Sequence, residues 1–374
     1  LYLFFSDKGS ENLPQLRTYY TRVREMLEEM AARSRGKIRL EVIDPLPFSD
    51  AEDRASALGL QSVPVGQAGE KIYFGLAGTN STNGHAAIPF LQPDKEAFLE
   101  YDVAKLIHQL AVPKKPVVDL VSSLPMGAGF DPATRQMREP WAVFQQWQQL
   151  YDVRQVNAAS LKEIGKDVDV LVLVQPKKLS DDTAYAIDQF VLRGGHLLVF
   201  VDPNAETDEA GADPNNPSAA MFADKSSNLP KLFKAWGVDY DPNQVVIDRA
   251  RALPISLGAG QPPVRQPAIL GLGKSDLNPN DVVTANLDSI NVSTAGFFVL
   301  AKDARDEKLG PLIQSSADAM MVPSERVRML GDPAPLLAGY EPHKEPYVIA
   351  ARLEGKFHSA FPERKDPGHL AESK

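Results

Sequence analysis

Residues 167–203 constrain the fold of this chain more than any other stretch, reading DVDVLVLVQPKKLSDDTAYAIDQFVLRGGHLLVFVDP. Val168 to Val174 is almost continuously apolar, the pattern of a strand covered by helices on both faces. Ser180 caps a helix whose first turn carries Asp181 and Asp182, where carboxylates favour the positive end of the helix dipole. Ile187, Phe190 and Val191 give that helix an apolar inner face, and Gly194-Gly195 ends it. His196 to Val201 reads as a second buried strand, stopping at Asp202-Pro203. The unit is a parallel β-α-β crossover, so the fold class is α/β.

In open parallel sheets, ligands collect at the carboxyl ends of the strands. The tips here offer Gln175, Lys177, Asp202 and Asn204, with no nucleophile, glycine-rich phosphate loop or histidine. These side chains should lie near one another on that edge, as a candidate surface for a partner or ligand. The plainer reading makes them solvated loop residues, with Lys177 and Asp202 neutralising each other. No catalytic, cofactor-binding or metal-binding residue is assigned, and no cofactor is expected.

At 374 residues the chain has room for roughly two to three domains of about 100–200 residues. Its net charge of −9 argues against nucleic acid as a partner, which calls for a basic face. Cysteine is absent, which removes thiol nucleophiles, CxxC redox chemistry, Cys-zinc sites and disulfides together. No apolar run approaches the roughly 18 residues that cross a bilayer, and no signal peptide is visible. The chain opens at Leu1 inside an apparent strand. It therefore reads as a piece cut from a longer protein, with membrane segments beyond it.

Residues 1–112 form the first expected domain. Strand LYLFF is followed by a helix from Pro14 with Leu16, Tyr20, Val23, Leu27 and Met30 on one face. A strand at Ile38–Ile43, a short helix, two further strands and a helix bearing Leu99, Val103, Leu106 and Leu110 complete it. This order resembles a thioredoxin-like fold, and Ser62-Val63-Pro64 stands where that fold carries its cis-proline. Pro64 is accordingly expected in a tight turn. Ser6-Asp7-Lys8-Gly9-Ser10 replaces the CxxC, so redox activity is not expected. Val112 to Pro116 is the hinge, 117–357 the second domain with a β-rich part at about 244–301, and 358–374 a polar linker or tail. Pro203 to Asn228 reads as a long mobile loop.

Motifs that would carry chemistry fail on their details. Gly273-Lys274-Ser275 has Ala268 where a P-loop needs its first glycine. Asp202, Asn204, Glu206, Asp208 and Asp213 alternate like calcium ligands, but Thr207 replaces the turn glycine and Asp213 the terminal Glu. The six histidines form no close ligand spacing. No GxSxG elbow occurs.

The opening strand, the helix at 14–34, KIRLEVIDP with Gly59-Leu60 and Pro64, the 167–203 unit, Trp236-Gly237-Val238 with VVID behind it, and YVIAARLEGKF together carry a family resemblance. The chain resembles the extracytoplasmic region of the Gldg family, auxiliary components of gliding-motility-type ABC transport systems. The resemblance implies a bacterial inner-membrane protein with this region in the periplasm, and ABC permease and ATPase subunits as partners. It implies a second domain similar to an amidotransferase-like α/β fold without the catalytic triad. The expected function is a non-catalytic binding or assembly module with an unknown extracytoplasmic ligand. The alternative is an α/β enzyme or carbohydrate-processing protein with its site near Gln175 and Asp202.

Overall fold

A computed structural model gives the architecture. It describes residues 1–374 other than 66–69, 83, 113, 132–135, 212–218, 220–222, 257, 259, 261, 329–330 and 374. The class is α/β, with a parallel sheet among several others. The chain divides into two units, Leu1–Lys115 and Pro116–Lys374.

The first unit comprises β1 (Tyr2–Phe5), α1 (Pro14–Arg33), β2 (Glu41–Ile43), α2 (Asp50–Ala57), β3 (Ser62–Val65), β4 (Glu70–Thr79), β5 (His85–Ile88) and α3 (Leu99–Ala111). One sheet runs β2-β1-β4-β3, with β5 also on β4; β1 and β2 are parallel and the other pairs antiparallel. Alternation along β1 and β4 decides the layers. Leu3, Phe5, Phe74 and Leu76 face Tyr19, Val23 and Leu27 of α1 and Val103 and Leu106 of α3. Phe4, Tyr73 and Ala77 face Ala55 and Leu60 on the other side. Pro64 is not in a turn. It lies within β3, opposite Lys71, with no cis peptide bond among the described residues. The missing N–H is tolerated because β3 ends its sheet.

The second unit opens with β6 (Val117–Ser122), the hairpin β7 (Gly129–Asp131) and β8 (Gln136–Arg138), α4 (Ala142–Leu150), β9 (Asp152–Gln155), β10 (Val170–Val174), α5 (Asp181–Leu192) and β11 (His196–Phe200). The parallel sheet runs β11-β10-β6-β9. On one face Val117, Val121, Leu171 and Leu173 meet Ile187 and Phe190 of α5. The same core takes in Leu232, Phe233 and Trp236, which lie on and just after α6 (Pro230–Ala235). On the other face Val118, Leu120, Val172 and Val174 meet Phe144 of α4 and Met126. Two-sided burial explains the unbroken apolar runs of β6 and β10. Strand β11 departs from expectation: it is the last strand on this path, and Leu198 and Phe200 are 43% and 48% exposed because the α4 layer does not reach them.

Strands β12 (Val238–Tyr240), β13 (Gln244–Asp248), β14 (Ala252–Ile255), β15 (Val264–Gly273), β16 (Ser289–Ser293), β17 (Phe298–Leu300), β18 (Lys308–Gln314), β19 (Ala319–Pro323) and β20 (Val348–Glu354) follow. They pair as β12-β17-β20-β18, β14-β15-β16 and β13-β19. Strand β13 is buried on both sides, Val246 toward Leu270 and Leu272, Val245 and Ile247 toward Ala268 and Val322. Gly273-Lys274-Ser275 is a capped turn after β15, where Gly273 N–H donates to Asp276 and Lys274 pairs with Asp288.

The tail is not a linker. Phe361 is 1% exposed in the core beside α5. Buried Asp188 accepts from the Ser359 hydroxyl at 2.7 Å and the Ala360 N–H at 3.1 Å. Gln189 bonds Leu370 through both its amide atoms, and Arg364 pairs with Asp182 at 2.5 Å. The largely polar composition of 358–374 concealed one aromatic anchor and a set of bonds to a single helix.

Candidate functional site

Strand β6 continues through the β7-β8 hairpin and α4 to β9 on one side, whereas β10 continues through α5 to β11 on the other. Chain segments leaving adjacent strands in opposite directions open a crevice at their carboxyl ends, the usual ligand position of an open α/β sheet. A cavity of about 510 Å³ occupies that point, walled by residues following β6, β9 and β10 and by Arg138 from β8.

Gln175 is the first residue past β10 and has φ of +51°. Its N–H extends the ladder to Phe200 O at 2.9 Å, and its carbonyl accepts from Ser123 Oγ at 2.5 Å. Its amide oxygen accepts from Ser227 Oγ at 2.7 Å. Its Nε2 donates to Lys225 O at 2.7 Å and to Asp208 at 3.2 Å. At 1% exposure, Gln175 is an internal clamp and not a surface residue.

Lys177 does not pair with Asp202. Its Nζ donates to Asp208 Oδ2 at 2.6 Å and to Asp224 O at 2.6 Å. Burial alone would push the Asp208 carboxyl up, but Lys177, the Ala210 N–H and Gln175 outweigh it and hold the group below the usual carboxylate range. Asp202 accepts from the Asn204 N–H at 2.7 Å, and burial raises its pKa to about 6 despite that bond, with Glu206 adding to the rise. Asn204 is 6% exposed, and its carbonyl accepts from Thr294 Oγ1 at 3.1 Å.

The four expected residues therefore belong to one connected network, with Ser227 and Asp208 as its unforeseen hubs. Ser227 bridges Gln175 to the Asp202 N–H at 3.0 Å. Gln175 and Lys177 line the cavity, but Asp202 and Asn204 do not. Segment 203–211, expected to be mobile, is held down with Asn204, Ala205 and Asp208 buried. Its calcium-like oxygens are dispersed: Asp208 goes to Lys177 and Glu206 to Ser293, and Asp213 lies outside the described residues. Among the described residues no group of three or more His, Asp or Glu could hold a metal ion, and no helix is long and apolar enough to cross a membrane.

Arg138 was missed because nothing in a short hairpin strand marks one arginine as interior-facing. Its Nη1 donates to Glu209 at 2.8 Å, and its Nε is buried without a hydrogen-bond partner.

Over residues 115–374 the chain matches the model of a family described as an ABC-type uncharacterized transport system. Residues 1–79 match a domain of unknown function (DUF7088). An uncharacterized protein of Borreliella burgdorferi is 22% identical over 267 residues, which cover 70% of this chain and 49% of that protein. The chain thus spans about half the length of the curated relative it matches. No solved structure matches it.

Proposed function

This chain belongs to the family described as an ABC-type uncharacterized transport system, and on that premise we propose that it is a non-catalytic binding or assembly module of such a system. In the finer reading it is the periplasmic region of a Gldg-family, gliding-motility-type auxiliary protein. Residues 1–112 would form a thioredoxin-like domain and 117–357 an amidotransferase-like one. Segments outside this chain would anchor it to the bacterial inner membrane, beside the permease and ATPase subunits.

One observation supports this over catalysis. At the carboxyl edge, where an α/β enzyme keeps its reacting groups, the polar side chains of Gln175, Lys177, Ser123 and Ser227 are already committed to holding loops in place. The alternative, an α/β enzyme or carbohydrate-processing protein with a site near Gln175 and Asp202, draws on the raised pKa of Asp202. That carboxyl stands outside the cavity lining, which weakens it.

Affinity capture of the full-length protein from solubilised membranes tests the proposal. ABC permease and ATPase subunits should co-purify in constant ratio. A folded protein that brings down neither overturns the assembly reading.

A further inference from the structure

We propose that the cavity at the carboxyl ends of β6, β9 and β10 binds a small amphiphilic carboxylate, with Arg138 as its anchor. The inference rests on the cavity as a recognition site and not on any transporter subunit. Its volume of about 510 Å³ falls within the span of roughly 300–1,000 Å³ typical of small-ligand sites. Leu124, Met126, Val156 and Leu179 supply apolar wall. Arg138 and Lys177 are the ionisable residues of the lining, and no Asp or Glu among the described residues contributes to it. A cavity of mixed lining, with an apolar stretch of wall and only positive charge among its described ionisable residues, selects an anion with an apolar body.

The two cations are not equivalent. Lys177 is held by Asp208, whose side chain is only 6% exposed, and by a backbone carbonyl, so it is part of the wall. Arg138 is held on its Nη1 by Glu209, whose side chain is 59% exposed. An ion pair to so exposed a partner is weak and easily exchanged. The guanidinium edge carrying Nε has an unmet donor. That Nε is shielded from solvent, so a carboxylate in the cavity would instead displace Glu209 from Nη1 and form a charge-assisted N–H···O bond there. A neutral sugar or alcohol could not satisfy the guanidinium as well, and a bare inorganic anion would leave the apolar walls unfilled.

Ligand-observed NMR titration of the 374-residue chain with phenylbutyrate, phenylbutanol and acetate is the test. Phenylbutyrate should bind saturably and more tightly than either of the others. Arg138→Gln should weaken phenylbutyrate by about tenfold or more while leaving phenylbutanol unchanged. Glu209→Gln breaks the same ion pair but keeps the guanidinium, so it should bind phenylbutyrate at least as well as the parent. Absence of saturable phenylbutyrate binding, equal affinity for phenylbutanol or acetate, or a Glu209→Gln loss as large as that of Arg138→Gln each overturns the proposal.

Discussion

Asp202 ends an apolar strand, and its place in the chain predicted a solvent-facing charge. Burial instead lifts its pKa to about 6, and it lies close enough to Tyr240 to raise that phenol's pKa further. The Tyr240 hydroxyl is itself buried without a hydrogen-bond partner. A carboxyl whose pKa is higher folded than unfolded stabilises the fold while protonated, and this contribution is lost as pH rises through about 4 to 6. Asp202→Asn keeps an oxygen for the Asn204 N–H and removes the charge. The variant should exceed the parent in stability at pH 7 by about 2 kcal/mol, allowing for partial exposure, with the gap closing below about pH 4. Urea unfolding of both proteins across that range checks it. A gap that does not vary with pH refutes the assignment. Nothing in the sequence announced this shift, because it depends on the burial of one carboxyl by loops distant in the chain.

Elements were legible where burial is two-sided and illegible where a single contact decides. The runs Val117–Val121 and Val170–Val174 could be read as strands because both faces are covered, so every residue is apolar or nearly so. Strand β11 has a similar run, yet its place at the end of the sheet, which no local pattern encodes, leaves Leu198 and Phe200 open. Residues 358–374 misled in the opposite sense. Phe361→Ala should cost about 3–5 kcal/mol, the range for a buried aromatic removed from a core, although it lies in a polar stretch. Deletion of 358–374 should cost more, since Asp188, fully buried, would lose both the Ser359 and Ala360 donors. Thermal unfolding of both variants decides this. A deletion variant with unchanged melting temperature would restore the linker reading.

Each unit of the molecule carries its own core, the first around Leu3, Phe5, Phe74 and α1, the second around the parallel sheet. Leu1–Lys115 expressed alone should therefore fold, with dispersed amide resonances that overlay those of the whole chain. Collapsed amide dispersion would show that its core is insufficient. Hydrophobic alternation and turn residues made the α/β class readable. The candidate site was read in part: Gln175 and Lys177 reach the cavity, while Arg138 and Ser227 had no period or motif to mark them and Asp208 was marked only as part of a calcium-like alternation, not as the partner of Lys177. Tertiary contacts between segments far apart in the chain assemble them, and sequence patterns report mainly local geometry.

One glutamine side chain holds two separate stretches of backbone, bonding Asp208 and Lys225 through its nitrogen and Ser227 through its oxygen. The Ala205 N–H also reaches Lys225 O, and the Ser227 N–H reaches Asp202 O, so the stretches are stitched to each other as well. Neither can lift away without breaking bonds of the other. Local opening over this edge is consequently one cooperative event with a shared free energy, a small foldon. The amide protons of Asn204, Ala210 and Ser227 would then exchange with deuterium through a common opening, at a rate that Gln175 sets.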